Sequence, residues 1–300
     1  MPVARKFAPL NNGFRVPIVG FDAAKVCPSY GYLFQLQTFD LEKTLLCAVD
    51  SGYRHFHCAS DNENQRAVGS VLEMKLSSTA LKRADFFISA KISITQKEIQ
   101  NVRIGLEETL SSLRLSYLDL YLLHNPFTFS PVENLRIPPK IIENMWREME
   151  QLVDAGLVKS IGLSNFSKDQ IDRLTKFCNI KPVLLQAEAA IITLNQELME
   201  YAHSFGIQVM VHDISPSPST LQTAFLENDA LGKMARSRMK TPSQLLIRRA
   251  IQRDLIILCY TTDPQRIRSN INVFDFELSP DEVAKLNAIE EATREECCNK

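Results

Sequence analysis

Residues 117–125, YLDLYLLHN, are followed by an amphipathic stretch at 141–156, IIENMWREMEQLVDAG, and by a second apolar run at 160–165, SIGLSN. The first run is almost continuously apolar, which is typical of a strand covered on both faces, as in a parallel sheet. The stretch at 141–156 has the apolar spacing of a helix that buries one side. Together these segments predict a strand, a helix and a second strand parallel to the first.

The same alternation extends in both directions along the chain. Its eight strand-like runs are IVGF (18–21), HFHCA (55–59), FFISAKI (86–92), LDLYLLHN (118–125), SIGLSN (160–165), VLLQAEAA (183–190), VMVHDIS (209–215) and LIILCYT (255–261). An open sheet would also fit, but eight successive units without a reversal favour a (β/α)₈ TIM barrel. Asn12-Gly13 predicts a short N-terminal hairpin over residues 1–16. We expect one domain over 1–300, closed by a helix and tail at 279–300.

Composition restricts the classes of partner. The 300 residues include 34 basic and 35 acidic side chains, a net charge of −1, so we expect neither nucleic acid nor a membrane surface as a partner. No apolar run is long enough for a signal peptide or a membrane span. The seven cysteines are odd in number and scattered, which favours reduced thiols and a cytosolic protein, and gives no metal-binding spacing.

Polar residues stand at the ends of the predicted strands. They are His57, Lys91, His124, Asn125, Ser164, Asn165, Gln186 and Glu188. In a barrel of this kind the carboxyl ends of the strands form the ligand site. Buried polar groups are costly unless they are bonded or used, so their convergence predicts a ligand site at this end. His55, His203 and His212 are assigned to structural roles.

Six blocks of sequence occur in the order and spacing of a known family. They are GYRHFHCASDNENQRAVG (52–69), FFISAK (86–91), YLDLYLLHNP (117–126), DAGLVKSIGLSNF (154–166), QAE (186–188) and RIRSNINVFDFEL (266–278). In these blocks the chain resembles the aldo-keto reductases, most of all the mammalian-type branch of hydroxysteroid dehydrogenases and aldose reductase. The resemblance implies a monomer that exchanges a hydride between NADP(H) and a small carbonyl or alcohol of the aldehyde or steroid class.

The resemblance also implies a catalytic tetrad in which a tyrosine donates the proton, a lysine and an aspartate tune it, and a histidine orients the carbonyl. Lys91 and His124 match the lysine and histidine positions, but the aspartate position holds His57 and the tyrosine position holds Asn62. An asparagine amide donates a hydrogen bond without giving up its proton. Loss of the aspartate removes an anion beside Lys91, which favours the neutral lysine.

The implied cofactor contacts are mixed. Ser164, Asn165 and Gln186 match the family's contacts to the nicotinamide carboxamide. Arg266 and Asn270 match positions near the 2′-phosphate and the adenine, and Thr261 is a further cofactor contact. Other positions differ: the tyrosine that stacks on the nicotinamide is Asp213, the phosphate-binding lysine is Tyr260, and a glycine-threonine pair is Asp22-Ala23. Loss of stacking area and of a cation predicts weakened NADP(H) binding.

Three interpretations therefore stay open. The favoured one is a degenerate reductase with weak or no classical activity, because several changes coincide at one site. The second is an active oxidoreductase with another proton donor, either a histidine, His124 or His57, or a tyrosine of the first loop, Tyr30 or Tyr32. The third is a non-catalytic binding or structural protein.

Overall fold

The computed structural model describes residues 6–26, 38–58, 62–92, 101–124, 139–188, 196–212 and 225–298. The strands are β1 Phe7–Pro9, β2 Arg15–Pro17, β3 Val19–Asp22, β4 His55–Cys58, β5 Phe87–Lys91, β6 Leu120–His124, β7 Ile161–Ser164, β8 Leu184–Glu188, β9 Gln208–His212 and β10 Leu255–Cys259. The α-helices of these residues are α1 Thr38–Asp50, α2 Asn62–Ser78, α3 Val102–Leu113, α4 Pro139–Asp154, α5 Lys168–Thr175, α6 Gln196–Ser204, α7 Asp229–Ser237, α8 Pro242–Gln252, α9 Pro264–Ile271 and α10 Pro280–Cys298. None of these helices is long and apolar enough to cross a membrane.

Strands β3 to β10 form a closed barrel in which every pair of neighbours is parallel, and β10 completes the ring by pairing with both β9 and β3. Helices follow the strands and cover the outside. The predicted (β/α)₈ barrel is therefore confirmed. All five residues of β10 are buried, as expected for a strand that is covered on both faces.

The predicted N-terminal hairpin is confirmed as β1 and β2, which pair antiparallel around a turn where Gly13 has a φ of 88°. Its apolar residues, among them Val16, pack with Leu120, Leu184 and Leu258 inside the barrel. The side chain of Asn12 donates to the Ser160 hydroxyl, just before β7, at 3.0 Å. The hairpin thus closes the amino-terminal end of the barrel, and the carboxyl ends of the strands lie at the opposite end.

A second and larger core lies between the strands and the helices. It contains Trp146 of α4, which is fully buried and donates from its indole nitrogen to the Ile180 carbonyl at 3.1 Å. Trp146 therefore lies in the core between the barrel and its helices.

Local sequence signals fix the two helices that follow β9 and β10. Thr241 and Gln244 form a capping box at the start of α8, with Pro242 in its first turn. Asp263 caps α9, where its side chain accepts from the Gln265 amide at 2.8 Å. Gln244 then donates to the carbonyls of Ser269 (3.0 Å) and Asn272 (2.8 Å), which ties the end of α9 to α8.

Candidate active site

The carboxyl ends of the barrel strands carry polar side chains that face the interior. The register pairs Asp22 with His57 and His57 with Ser89 on one side of the barrel. On the opposite side it pairs His124 with Ser164 and Ser164 with Gln186. Residues paired across parallel strands point to the same face of the sheet. Their next partners, Leu120 and Met210, belong to the interior core, so both rows point into the barrel.

These polar residues form two levels that differ in burial. His57, Ser89, Ser164 and Gln186 have no exposed surface. Lys91, His124, His212 and Tyr260 are half-buried around them. The first group therefore forms the floor of the carboxyl end of the barrel, called here the mouth, and the second group surrounds that floor.

The floor is held together by a continuous chain of hydrogen bonds. His57 Nδ1 lies 3.0 Å from the Ser89 hydroxyl, and His55 Nε2 lies 3.1 Å from the same hydroxyl. On its other side, His57 Nε2 lies 3.1 Å from Gln186 Nε2. Gln186 Oε1 accepts from the Ser164 hydroxyl at 3.1 Å. Since β4 and β8 are opposite strands of the barrel, the contact between His57 and Gln186 crosses the interior.

The two ends of this chain determine where the protons are. Gln186 Nε2 can only donate, so His57 Nε2 accepts and the proton of the neutral ring sits on Nδ1, where it is donated to Ser89. At the other end His55 Nδ1 lies 3.4 Å from the Pro17 carbonyl, which can only accept. His55 therefore carries its proton on Nδ1 and accepts the Ser89 proton at Nε2. Each side chain in this series of hydrogen bonds donates once, in the direction that leads from Ser164 to the Pro17 carbonyl.

Both histidines are held neutral. Burial lowers the pKa of His57 well below 6.5, and the nearby Lys91 ammonium lowers it further. Burial also lowers the pKa of His55 to about 4, although the Pro17 carbonyl partly opposes this. A ring that is neutral at physiological pH accepts and donates hydrogen bonds but is a poor general acid.

Asp22 ends β3 beside this floor and is almost fully buried, with 2% of its surface exposed. Its Oδ1 accepts from the Ala24 amide at 3.1 Å. Burial and the Asp22 carboxylate raise the pKa of Tyr260, which follows β10 on the adjacent strand. The end of β3 thus brings a negative charge next to Tyr260.

The residues expected to contact the adenosine end lie on or just before α9. Asn270 is buried, and its Oδ1 has no hydrogen-bond partner among the described residues. Thr261 accepts from the Asp263 amide at 3.2 Å. Arg266 is exposed, and its Nε lies 3.9 Å from Asp263 Oδ2. A buried amide oxygen without a partner is unusual in a folded protein and is consistent with a ligand that donates to it.

Three other predicted site residues are Asn165, Asn62 and Asp213. Asn165 follows β7 in a left-handed conformation (φ 59°) and its amide donates to the Gln186 carbonyl at 2.8 Å, which turns the chain across the mouth. Asn62 is the first residue of α2. Asn125, Asp213, Tyr30 and Tyr32 lie outside the described residues. Within the described part of the chain, no three His, Cys, Asp or Glu side chains are grouped so that they could hold a metal ion.

Sequence reasoning missed Ser89 and did not connect His55 to the site. The available signal was spacing, because Ser89 stands two residues before Lys91 and His55 two residues before His57. Residues two apart in a strand share a face. The polar series therefore extends one level deeper into the barrel than the strand ends suggest.

Residues 35–291 match the model of the aldo/keto reductase family. The chain belongs to this family, which is a family of oxidoreductases. It is 35% identical over 289 residues to aldo-keto reductase family 1 member A1-A of Danio rerio, covering 91% of this chain and 86% of the relative. It is 33% identical over 299 residues to an NADH-dependent D-xylose reductase of Candida parapsilosis, covering 91% and 89%.

Solved structures agree with the family assignment. The aldose reductase of Schistosoma japonicum superimposes with a TM-score of 0.80 at 37% identity and covers 95% of this chain and 92% of its own. An aldo-keto reductase enzyme from a deep-sea metagenome library of the Medee basin gives a TM-score of 0.79 at 26% identity, with 94% of each chain covered. The resemblance read from the sequence blocks is confirmed.

Proposed function

We propose that this chain is an NADP(H)-binding member of the carbonyl and hydroxysteroid reductase lineage whose classical reductase activity is weak or absent. It acts as a cytosolic monomer, and a small carbonyl or alcohol is its substrate class if turnover remains. A bound nicotinamide cofactor would supply the hydride. The chain must then bind and orient the cofactor and deliver a proton, and these two tasks have different support.

The observation that carries the proposal is the state of His57. At the position where the resemblance implies an aspartate, this ring has no exposed surface, and both of its nitrogens are engaged, by Ser89 and by Gln186. It therefore supplies no negative charge to Lys91. Because the tyrosine position is Asn62, the site lacks both the family's proton donor and the anion that tunes it. Loss of a general acid typically reduces the rate by about 10²–10⁴-fold.

Support for a retained cofactor site comes from both ends of the mouth. Ser164, Asn165 and Gln186 adjoin one another through the Ser164–Gln186 bond and the Asn165–Gln186 backbone bond. They would hold the carboxamide. The buried, unpartnered Oδ1 of Asn270 fits an adenine amino group. At the position of the family's phosphate-binding lysine this chain has Tyr260, next to the Asp22 carboxylate. A carboxylate in place of a cation weakens the binding of the 2′-phosphate.

The decisive experiment is a pair of measurements on the purified protein. Isothermal titration calorimetry with NADPH and with NADH measures cofactor affinity, and a turnover assay with a soluble aldehyde and a ketosteroid measures activity. We expect saturable binding with turnover far below that of an intact reductase of the same family assayed alongside. Turnover equal to that control would refute the loss of activity. Absence of binding by both nucleotides would refute the cofactor site and favour a non-catalytic scaffold.

A second candidate is an active oxidoreductase in which His124 donates the proton. This half-buried residue ends β6 in register with Ser164, whereas His57 is buried and neutral. The candidate predicts a rate that falls as pH rises through the histidine range, because the donor must be protonated. It also predicts loss of the rate in His124→Ala. A residual rate that is flat with pH and indifferent to this substitution would exclude it.

A further inference from the structure

We propose that His57 is a positioning residue for the nicotinamide end of the cofactor, acting across the barrel through Gln186 rather than on the proton donor. The inference rests on the proposed cofactor site. It assigns to this position a role that an aspartate tuning a lysine would not have. The residues that carry it are His55, Ser89, His57, Gln186 and Ser164, called here the relay.

Gln186 is held from two sides. Its Oε1 accepts from Ser164 and its Nε2 donates to His57, each at 3.1 Å. A glutamine amide that is held at both atoms cannot flip or swing without losing a buried hydrogen bond. The carboxamide contact that Gln186 offers is therefore fixed in position and polarity before a ligand arrives.

His57 is itself held in one tautomer. Its Nδ1 donates to Ser89, whose proton goes to His55, and the Pro17 carbonyl fixes the proton of His55. Reversing every donor would leave the bare Nδ1 lone pair of His55 facing that carbonyl, two acceptors opposed in a buried place. The closed end of the barrel thus sets which way the Gln186 amide points at the mouth.

The side chains of the relay are held rigidly. Its five side chains are all fully buried. His55 packs edge-on against the Phe87 ring at a centroid distance of 4.9 Å, and Gly20 leaves it room, since a Cβ there would lie 2.7 Å from His55 Nδ1. Buried polar networks of this kind restrict their members to one arrangement when every member is satisfied.

Two substitutions of His57 separate this role from a general structural one. A glutamine reaches about as far as Nε2 and can still accept from Gln186, whereas an asparagine reaches only as far as Nδ1 and keeps the Ser89 bond alone. We expect His57→Asn to weaken NADPH binding by about 5–10-fold, the loss of one buried hydrogen bond. His57→Gln keeps the bond to Gln186 and loses the one to Ser89, so it should weaken NADPH binding less than His57→Asn does.

The control ligand is 2′,5′-ADP, which has the adenosine end and no nicotinamide. Calorimetry should give the same dissociation constant for 2′,5′-ADP in wild type and both variants. A partly unfolded variant would weaken both ligands by the same factor, so the ratio of the two dissociation constants isolates the nicotinamide end. Equal NADPH affinity in wild type and His57→Asn, or equal weakening of both ligands, would overturn the inference. If wild type binds neither ligand, the proposed function fails as well.

A second measurement needs no cofactor. Long-range ¹⁵N–¹H NMR spectra of histidine-labelled protein report which ring nitrogen carries the proton. We expect His57 and His55 to be neutral at pH 7 with the proton on Nδ1, assigned with His57→Gln and His55→Gln as references. A proton on Nε2 of His57, or a charged ring, would overturn the relay whether or not NADPH binds.

Discussion

The two ends of the barrel bury polar groups in different ways. At the closed end the Asp119 carboxylate meets the Arg83 guanidinium at 2.8 Å and the Lys159 ammonium at 3.0 Å, and accepts from the Ile88 amide at 2.9 Å. The relay, which extends from Ser164 at the mouth to His55, is neutral throughout. Charge is therefore compensated by opposite charge around Asp119 and is avoided within the relay.

The physical setting explains this difference. Arg83 and Lys159 retain 17% and 34% of their side-chain exposure, so their charges stay partly solvated while they satisfy the more buried Asp119. Partial burial lowers the pKa of Lys159, but Asp119 and Tyr117 together more than offset this and the pKa is raised. The relay has no such access to water, and an isolated charge there would be far more costly than a neutral hydrogen bond. The closed end stabilises the fold, whereas the mouth fixes the geometry of a site.

The largest expected effect tests what the mouth has lost. The double substitution Asn62→Tyr with His57→Asp restores the family's donor and anion, and we expect carbonyl reduction with NADPH to rise by about 10²-fold or more, the usual contribution of a general acid. The matched control is Asn62→Phe with His57→Asp, which supplies the ring without the hydroxyl and should show no gain. Equal rates in the two double variants would show that the proton donor is not the missing element.

The next effect belongs to the closed end. Asp119→Ala leaves two partly solvated cations without their anion, and we expect a loss in the free energy of unfolding that approaches but does not exceed about 3–5 kcal/mol, the cost of breaking a fully buried pair. Urea denaturation measures this change. Asp50→Ala, which removes the exposed carboxylate bonded to Lys75, should cost less than about 1 kcal/mol. NADPH affinity measured well below the unfolding transition should be unchanged by Asp119→Ala, and a large change would contradict the separation of the two ends.

A pH titration of stability addresses the neutral relay itself. The pKa of His55 is about 4 in the folded protein and 6.5 without burial, so the unfolded chain binds the proton more readily between these values. The contribution of neutral His55 to the free energy of unfolding is complete above pH 6.5 and is lost as the pH falls toward 4. We expect a decrease of about 3 kcal/mol from pH 7 to pH 4 that His55→Gln diminishes. His57 acts in the same direction. An identical pH dependence in His55→Gln would show that His55 is not held neutral.

The smallest effect concerns the space that Gly20 leaves beside the relay. In Gly20→Ala the new Cβ would lie 2.7 Å from His55 Nδ1 and 2.8 Å from Leu258 Cδ2, and overpacking of this kind costs about 1–3 kcal/mol. Gly232→Ala is the control, because its Cβ would meet only the flexible end of Arg236 at 3.2 Å, and an alanine in helix α7 is expected to be neutral or stabilising. Equal stability of the two variants would mean that His55 has room to move.

Much of the fold follows from sequence patterns that are local. Local patterns were sufficient to predict two strands, from the apolar runs of Leu255–Cys259 and Leu120–His124, and one turn, from Asn12-Gly13. Strand burial and turn geometry depend on nearby residues. The strand-end residues Lys91, His124 and Ser164 were also predicted as one site. The roles of Asn62 and Asp213 in that site stay predictions.

The sequence by itself determined the eight successive strand–helix units and the polar residues at the strand ends, and it favoured closure into a barrel over an open sheet. Only the tertiary structure decided that His57 contacts Gln186, 129 positions away, and that Ser89 joins it to His55. Closure of the barrel brings β4 opposite β8, and neither distance nor direction across the interior has a local signal. The same closure excludes water from His57, and this burial holds it neutral.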